Sequence, residues 1–78
     1  MTDKYKVIRV QSVLFDNKLF DATSARSFLK TYHMYPIKRV HKTENYLRYR
    51  LEDPIKNKKY CTVKDEVAKG VLRIIYVQ

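Results

Sequence analysis

Residues 45–54 read Asn-Tyr-Leu-Arg-Tyr-Arg-Leu-Glu-Asp-Pro (NYLRYRLEDP). Side chains alternate between the two faces of a strand. On that period the stretch separates into Leu47, Tyr49 and Leu51 on one side and Tyr46, Arg48 and Arg50 on the other. The first set has the composition of a packed face. The second places two guanidiniums beside a phenol ring, a combination that suits water or an anion. The stretch therefore predicts a strand over 46–52 in a sheet covered on one side only.

Upstream, residues 4–15 (KYKVIRVQSVLF) are rich in β-branched side chains and lack Gly and Pro, which predicts a strand. Asp16, Asn17 and Asp21 interrupt it. Asp21 is suited to cap a helix, because its carboxylate can accept the free amide hydrogens of a first turn. The helix is expected from Ala22 to about Met34, where Ala22, Ala25, Phe28, Leu29 and Tyr32 share one arc and Arg26, Lys30 and His33 lie on its edge. Pro36 disfavours helix at Tyr35 and ends it. Residues 37–43 predict a short strand that turns at Thr43-Glu44-Asn45, with Asn45 tolerant of the left-handed conformation, and pairs with 46–52. A lysine-bearing turn at 53–59, a short strand at 59–64 and a helical turn at 65–70 closed by Gly70 follow. The strongest strand signal is VLRIIYV, 71–77.

The order β-α-β-β-β-β defines an α+β class: one domain over 1–78, an antiparallel-rich β-sheet with a single amphipathic helix packed on one face. The two apolar terminal strands are expected centrally and 37–43 at an edge. Leu47, Tyr49 and Leu51 are assigned to the helix side with Leu72, Ile74, Tyr76, Ile8, Val10 and Leu14. The open side then carries Tyr46, Arg48, Arg50, Arg9, Gln11 and Arg73, joined by Tyr60, Thr62 and Lys64. It also carries Val7, Val13, Phe15, Val71, Ile75 and Val77.

Lys and Arg total 17 against 8 Asp and Glu, a formal net charge of +9. Such a domain attracts polyanions, nucleic acid ahead of an anionic membrane surface. Arginine pairs bidentately with phosphate and stacks on bases, and tyrosine offers a platform to an unpaired base. The candidate nucleic-acid-binding residues are Arg48, Arg50, Arg9 and Arg73, with Tyr46 to stack or position. Lys38, Arg39 and Lys42, grouped with His41 on the hairpin arm, and Lys56, Lys58 and Lys59 on the turn add attraction. Nothing in the sequence chooses between single strands and duplex; DNA is the favoured partner. A face mixing apolar side chains with arginine also suits self-association into a homodimer, which makes a structural or adaptor module the alternative.

Catalysis and cofactors are not expected. His33, His41 and Cys61 form no ligand pair of metal-site spacing, and the single glycine excludes a glycine-rich phosphate loop. The lone Cys61 permits no internal disulfide, which suits a reducing compartment, and is expected in the core. No apolar run approaches the ~20 residues of a membrane span, and MTDKYKVIRVQ lacks a signal-peptide apolar region. The expectation is a soluble intracellular protein without membrane contact.

The segments VQSVLFD, SARSFLK, TENYLRYRLEDP and KKYCTVKDEVAKGVLRIIYV, which span Val10 to Val77, together resemble a short domain of tailed phages and of large DNA viruses of the marseillevirus kind. That pattern has a strand ending in Phe-Asp, a helix with Ala and a Leu-Lys pair, a Glu-Asn-Tyr-x-Arg-x-Arg strand and a closing apolar strand. Its most specific part here is Glu44 to Arg50. The glycine-containing end common in that domain is absent after Val71. The resemblance implies a viral setting, in the virion or a host-cell viral factory, and a virion or genome-associated protein. It transfers no active site.

Overall fold

A computed structural model describes residues 7–66 and 68–77. The elements are β1 (Ile8–Asp16), α1 (Ala22–Thr31), β2 (His41–Lys42), β3 (Tyr46–Arg50), β4 (Cys61–Lys64) and β5 (Val71–Val77). Every strand pair is antiparallel, in the order β2-β3-β1-β5-β4. This is the α+β class read from the sequence. The long apolar strands β1 and β5 are adjacent inside the sheet, and the polar β2 lies at an edge. Of the first predicted strand, residues 4–6 lie outside the described residues, as does Val67 of the predicted 65–70 turn.

The helix starts where the sequence says. The Asp21 carboxylate accepts the Ser24 amide at 2.8 Å, and the Ser24 hydroxyl accepts the Asp21 amide at 3.0 Å. These reciprocal bonds satisfy donors that helix geometry leaves free. The helix stops three residues before the predicted Met34. Tyr32 is its C-cap and His33 takes a left-handed φ of 57°. The Met34 amide then bonds back to Leu29 O at 2.8 Å and His33 N to Lys30 O at 3.1 Å. That is a Schellman closure; it ends the helix before Pro36 is reached and returns Met34 to the core.

Phe15 is the centre of the packing. It is fully buried and meets Phe20, Phe28 and Tyr49 edge to face at centroid separations of 5.0, 5.5 and 5.7 Å, the preferred aromatic geometry. Val13, Ala25, Leu29, Leu47, Tyr49 and Val71 complete the buried cluster. The ten-residue helix lies over the β3–β1 half of the sheet. On the same side of β4, Val63 and Cys61 remain exposed. Cys61 is therefore at the sheet margin and not in the core as expected, because the short helix does not reach β4.

A β-bulge corrects the assignment of faces. Val10 opposes Ile75 while Ser12 opposes Ile74, so Gln11 is an extra residue on β1, and such an insertion inverts the alternation beyond it. Val10 lies on the helix side with Val13 and Phe15, whereas Arg9, Ser12, Leu14 and Asp16 lie on the open side. Gln11 itself is buried and bonds to Glu52 O at 2.7 Å. β5 follows: Val71, Arg73 and Ile75 align with Phe15, Val13 and Val10, and Leu72, Ile74 and Tyr76 face outward. The expected orientations of Leu14, Val13, Phe15 and of all β5 are thus reversed. That of β3 holds, with Leu47 and Tyr49 buried and Arg48 and Arg50 opposite Leu14 and Ser12.

Local details also differ. The strand predicted at 37–43 is reduced to His41–Lys42, and Ile37 joins the sheet through its amide, which donates to Arg50 O at 2.9 Å. Asn57, at φ 68°, takes the left-handed conformation, and Asn45 does not. No helix forms among the described residues of 65–70; the Asp65 carboxylate accepts the Ala68 amide at 2.8 Å and Gly70 turns the chain at φ 85°.

Candidate nucleic-acid interface

The open face is a grid fixed by the pairing register. One row across the sheet reads His41, Arg48, Leu14, Leu72, Lys64, and the next reads Arg50, Ser12, Ile74, Thr62. Cations thus stand on both flanks of a narrow apolar lane. Arg48 and Arg50 are two residues apart on one strand, so their Cα atoms are about 6.6 Å apart.

Two backbone attachments shape a concavity beside them. The His41–Arg48 pairing holds β2 against β3, and the Ile37–Arg50 bond brings the 37–40 segment along the end of β3. Between them lies a cleft of about 150 Å³ lined by Lys38, Arg39, His41, Arg48 and Arg50. No carboxylate lines it among the described residues. Arg48 donates to the Ser12 hydroxyl and to Gln11 Oε1 at 3.4 Å. These long bonds to neutral oxygens aim the guanidinium without cancelling its charge. Arg50 has no hydrogen bond or ion pair among the described residues. Lys38 pairs with Asp53 at 3.5 Å, with both side chains largely exposed, an arrangement worth little in water.

The other candidates do not converge there. Arg9 is on the open face as expected, but Glu52 holds it through contacts of 2.8 Å at Nε and 2.7 Å at Nη2. Glu52 also accepts a short hydrogen bond from the Tyr76 hydroxyl. That bond, followed by Arg9, lowers the Glu52 carboxyl below its ordinary value, while Glu52 raises Tyr76 and Arg9. The Arg9 charge is consequently balanced inside the protein. Arg73 departs from expectation altogether: it lies on the helix side opposite Val13 and pairs with Asp65. Both residues leave the candidate site.

Lys42 opposes Leu47, so its register position is on the helix side rather than in the cleft. Lys56, Lys58 and Lys59 are exposed on the turn before β4, across the sheet from β2, and Lys58 Nζ reaches Val77 O at 3.4 Å. Tyr46 is half-buried on the open face opposite Asp16, at the end of β3 away from the cleft. Tyr60 packs edge-on to Tyr76 at 5.3 Å and its hydroxyl accepts the Ile55 amide at 2.8 Å.

Sequence reasoning grouped His41 with Lys38, Arg39 and Lys42 on the basic hairpin arm, and it assigned Leu14, Leu72 and Ile74 to the helix side rather than to the open face. The polar run 38–42 signalled His41; the bulge hid the rest. Comparison of the chain with known protein families, curated proteins and solved structures finds no match. Among the described residues, no three His, Cys, Asp or Glu side chains are grouped to hold a metal, and no helix is long and apolar enough to cross a membrane. Fold and site together define a two-layer α+β domain with a cationic cleft on its uncovered sheet face.

Proposed function

We propose that this protein binds nucleic acid, DNA first, with little sequence specificity, and acts as a binding protein rather than an enzyme. The observation that carries this reading is the cleft of Lys38, Arg39, His41, Arg48 and Arg50, a concave all-basic surface on a chain of net charge +9. Such a surface contacts phosphates, which position a protein on nucleic acid without reading bases. Packaging or organising a viral genome is the use suggested by the resemblance to viral and phage domains, since neutralising phosphates is what compaction requires.

An anisotropy titration of a labelled oligonucleotide at 50 and 200 mM salt tests it. Affinity should fall steeply with salt as counterions return. Arg48→Ala with Arg50→Ala should weaken binding at 50 mM by at least about tenfold and flatten the salt slope by about 1.4–1.8, two phosphates at ~0.7–0.9 each. Both side chains are on the open face, so circular dichroism should be unchanged. Salt-independent or absent binding by the folded wild type defeats the proposal.

A second reading is a virion structural or adaptor module that self-associates. Its support is the outer edge of β4, which no other strand among the described residues pairs and whose four residues are all exposed, since an unpaired edge can template another strand. Sedimentation of the same variants separates the two: loss of a dimer with unchanged DNA affinity favours the adaptor.

A further inference from the structure

The apolar lane on the open face is not explained by phosphate contacts. Leu14, Leu72 and Ile74 are half-buried side by side at the centre of the sheet. Arg48 and Arg50 on β3 flank them on one side, and Lys64 on β4 on the other. The columns of Arg48 and Lys64 stand three strand spacings apart, about 14 Å. At one end, the lane opens into a second cleft of about 380 Å³, whose walls include Asp16 and Asp65 as well as Leu19, Tyr46, Lys64 and Leu72. That volume is within the range of small-ligand pockets. Lane and cleft share Leu72 and Lys64, and Tyr46 stands at their junction.

A duplex keeps its base faces inside the stack and presents phosphates and sugars outward. Set on this surface, it leaves three aliphatic side chains against charge. An unpaired strand presents both kinds of surface at once: base faces to the lane, phosphates to the flanking cations. Leucine and isoleucine give a ribose 2′-hydroxyl no hydrogen-bond partner, and burying a hydroxyl unpaired is unfavourable. Deoxyribose carries no such cost. We infer that the open face accommodates single-stranded DNA, with bases along Leu14, Leu72 and Ile74, one unpaired base in the Tyr46 cleft, and phosphates on Arg48, Arg50 and Lys64. This rests on the nucleic-acid reading above and names its substrate class.

The test compares the wild-type protein on labelled dT20, rU20 and a 20-base-pair duplex at 100 mM salt. The expected result is at least a tenfold preference for dT20 over the duplex, tyrosine fluorescence quenching by dT20, and weaker binding of rU20. Ile74→Thr keeps a β-branched residue on the strand; it should lower dT20 affinity several-fold, and by more than it lowers duplex affinity. Equal or tighter binding of the duplex overturns this inference and leaves general phosphate binding standing. Tighter binding of rU20 overturns the choice of DNA. No binding of any of the three removes the underlying reading too. A dimer that dissociates on Ile74→Thr, without DNA binding, assigns the lane to a second copy instead.

Discussion

Replacing Glu52 by Gln should make the protein a better DNA binder and a less stable one. Glu52 is the carboxylate that neutralises Arg9 on the open face, at 2.7 Å. Glutamine is nearly isosteric but has one acceptor oxygen in place of two: that oxygen can keep the Tyr76 hydroxyl, while the amide nitrogen facing Arg9 is a donor and cannot accept from it, so the negative charge and the Arg9 contact are lost together. One guanidinium, Arg9, then becomes available to a phosphate. A single added phosphate contact steepens the dependence of log K on log salt by ~0.7 for a single strand or ~0.9 for duplex. Between 50 and 200 mM salt that is an extra loss of about threefold in affinity. The gain therefore appears at low salt and shrinks as salt rises. Stability moves the other way, because the charge-assisted hydrogen bond from Tyr76 becomes a neutral one and the Arg9 contact is lost.

The pH dependence has a definite sign. The folded state holds the Glu52 carboxyl below its ordinary value of 4.5, chiefly through the Tyr76 hydroxyl and then through Arg9. Its contribution is complete above that ordinary value and is lost as pH falls through the depressed one. The difference in stability between wild type and Glu52→Gln should thus be largest near neutrality and close in acid. Anisotropy titrations over four salt concentrations and thermal melts from pH 7 to pH 3 measure both effects. An unchanged salt slope, or lower affinity at low salt from a variant that still melts cooperatively, would show that Arg9 does not face the bound anion.

Two backbone predictions follow from the left-handed positions. His33→Gly should stabilise the protein by about 0.5–1 kcal/mol, because His33 is an exposed non-glycine residue at φ 57° in the helix closure; a thermal melt should rise by several degrees. Gly70→Ala should destabilise by about 1–2 kcal/mol. Gly70 has φ 85°, and a β-carbon there would approach Leu19 Cδ1 to 2.7 Å and Asp16 Cβ to 3.3 Å. The exposed Leu19 can move aside, so the backbone conformation supplies most of the cost, and a urea midpoint lowered at constant slope would register it.

Legibility differed from strand to strand for a physical reason. In β3 the two alternating sets are chemically unlike, Leu and Tyr against Arg, so only one of them is suited to the core and Arg48 and Arg50 were placed correctly. In β5 both sets are mostly apolar, and either is compatible with burial. Its orientation follows from its pairing with β1, where the bulge at Gln11 carries Val13 and Phe15 inward. Arg73 was misassigned through that ambiguity. Arg9 reached the expected face, yet its partner Glu52 is 43 residues away, a separation that local pattern does not bridge. The helix start needed only Asp21 and Ser24. Its end was set by a left-handed histidine, a residue type with no strong signal for that conformation.

Sequence alone determined the element order, the α+β class, the excess of positive charge and the outward arginines of β3, because each depends on composition or on a period of a few residues. Tertiary structure decided which apolar set of β5 is buried, which arginines are neutralised and which basic residues meet in one cleft. Those depend on strand register and on distant chain segments brought together, and a single inserted residue in β1 is enough to exchange the faces of the sheet's centre.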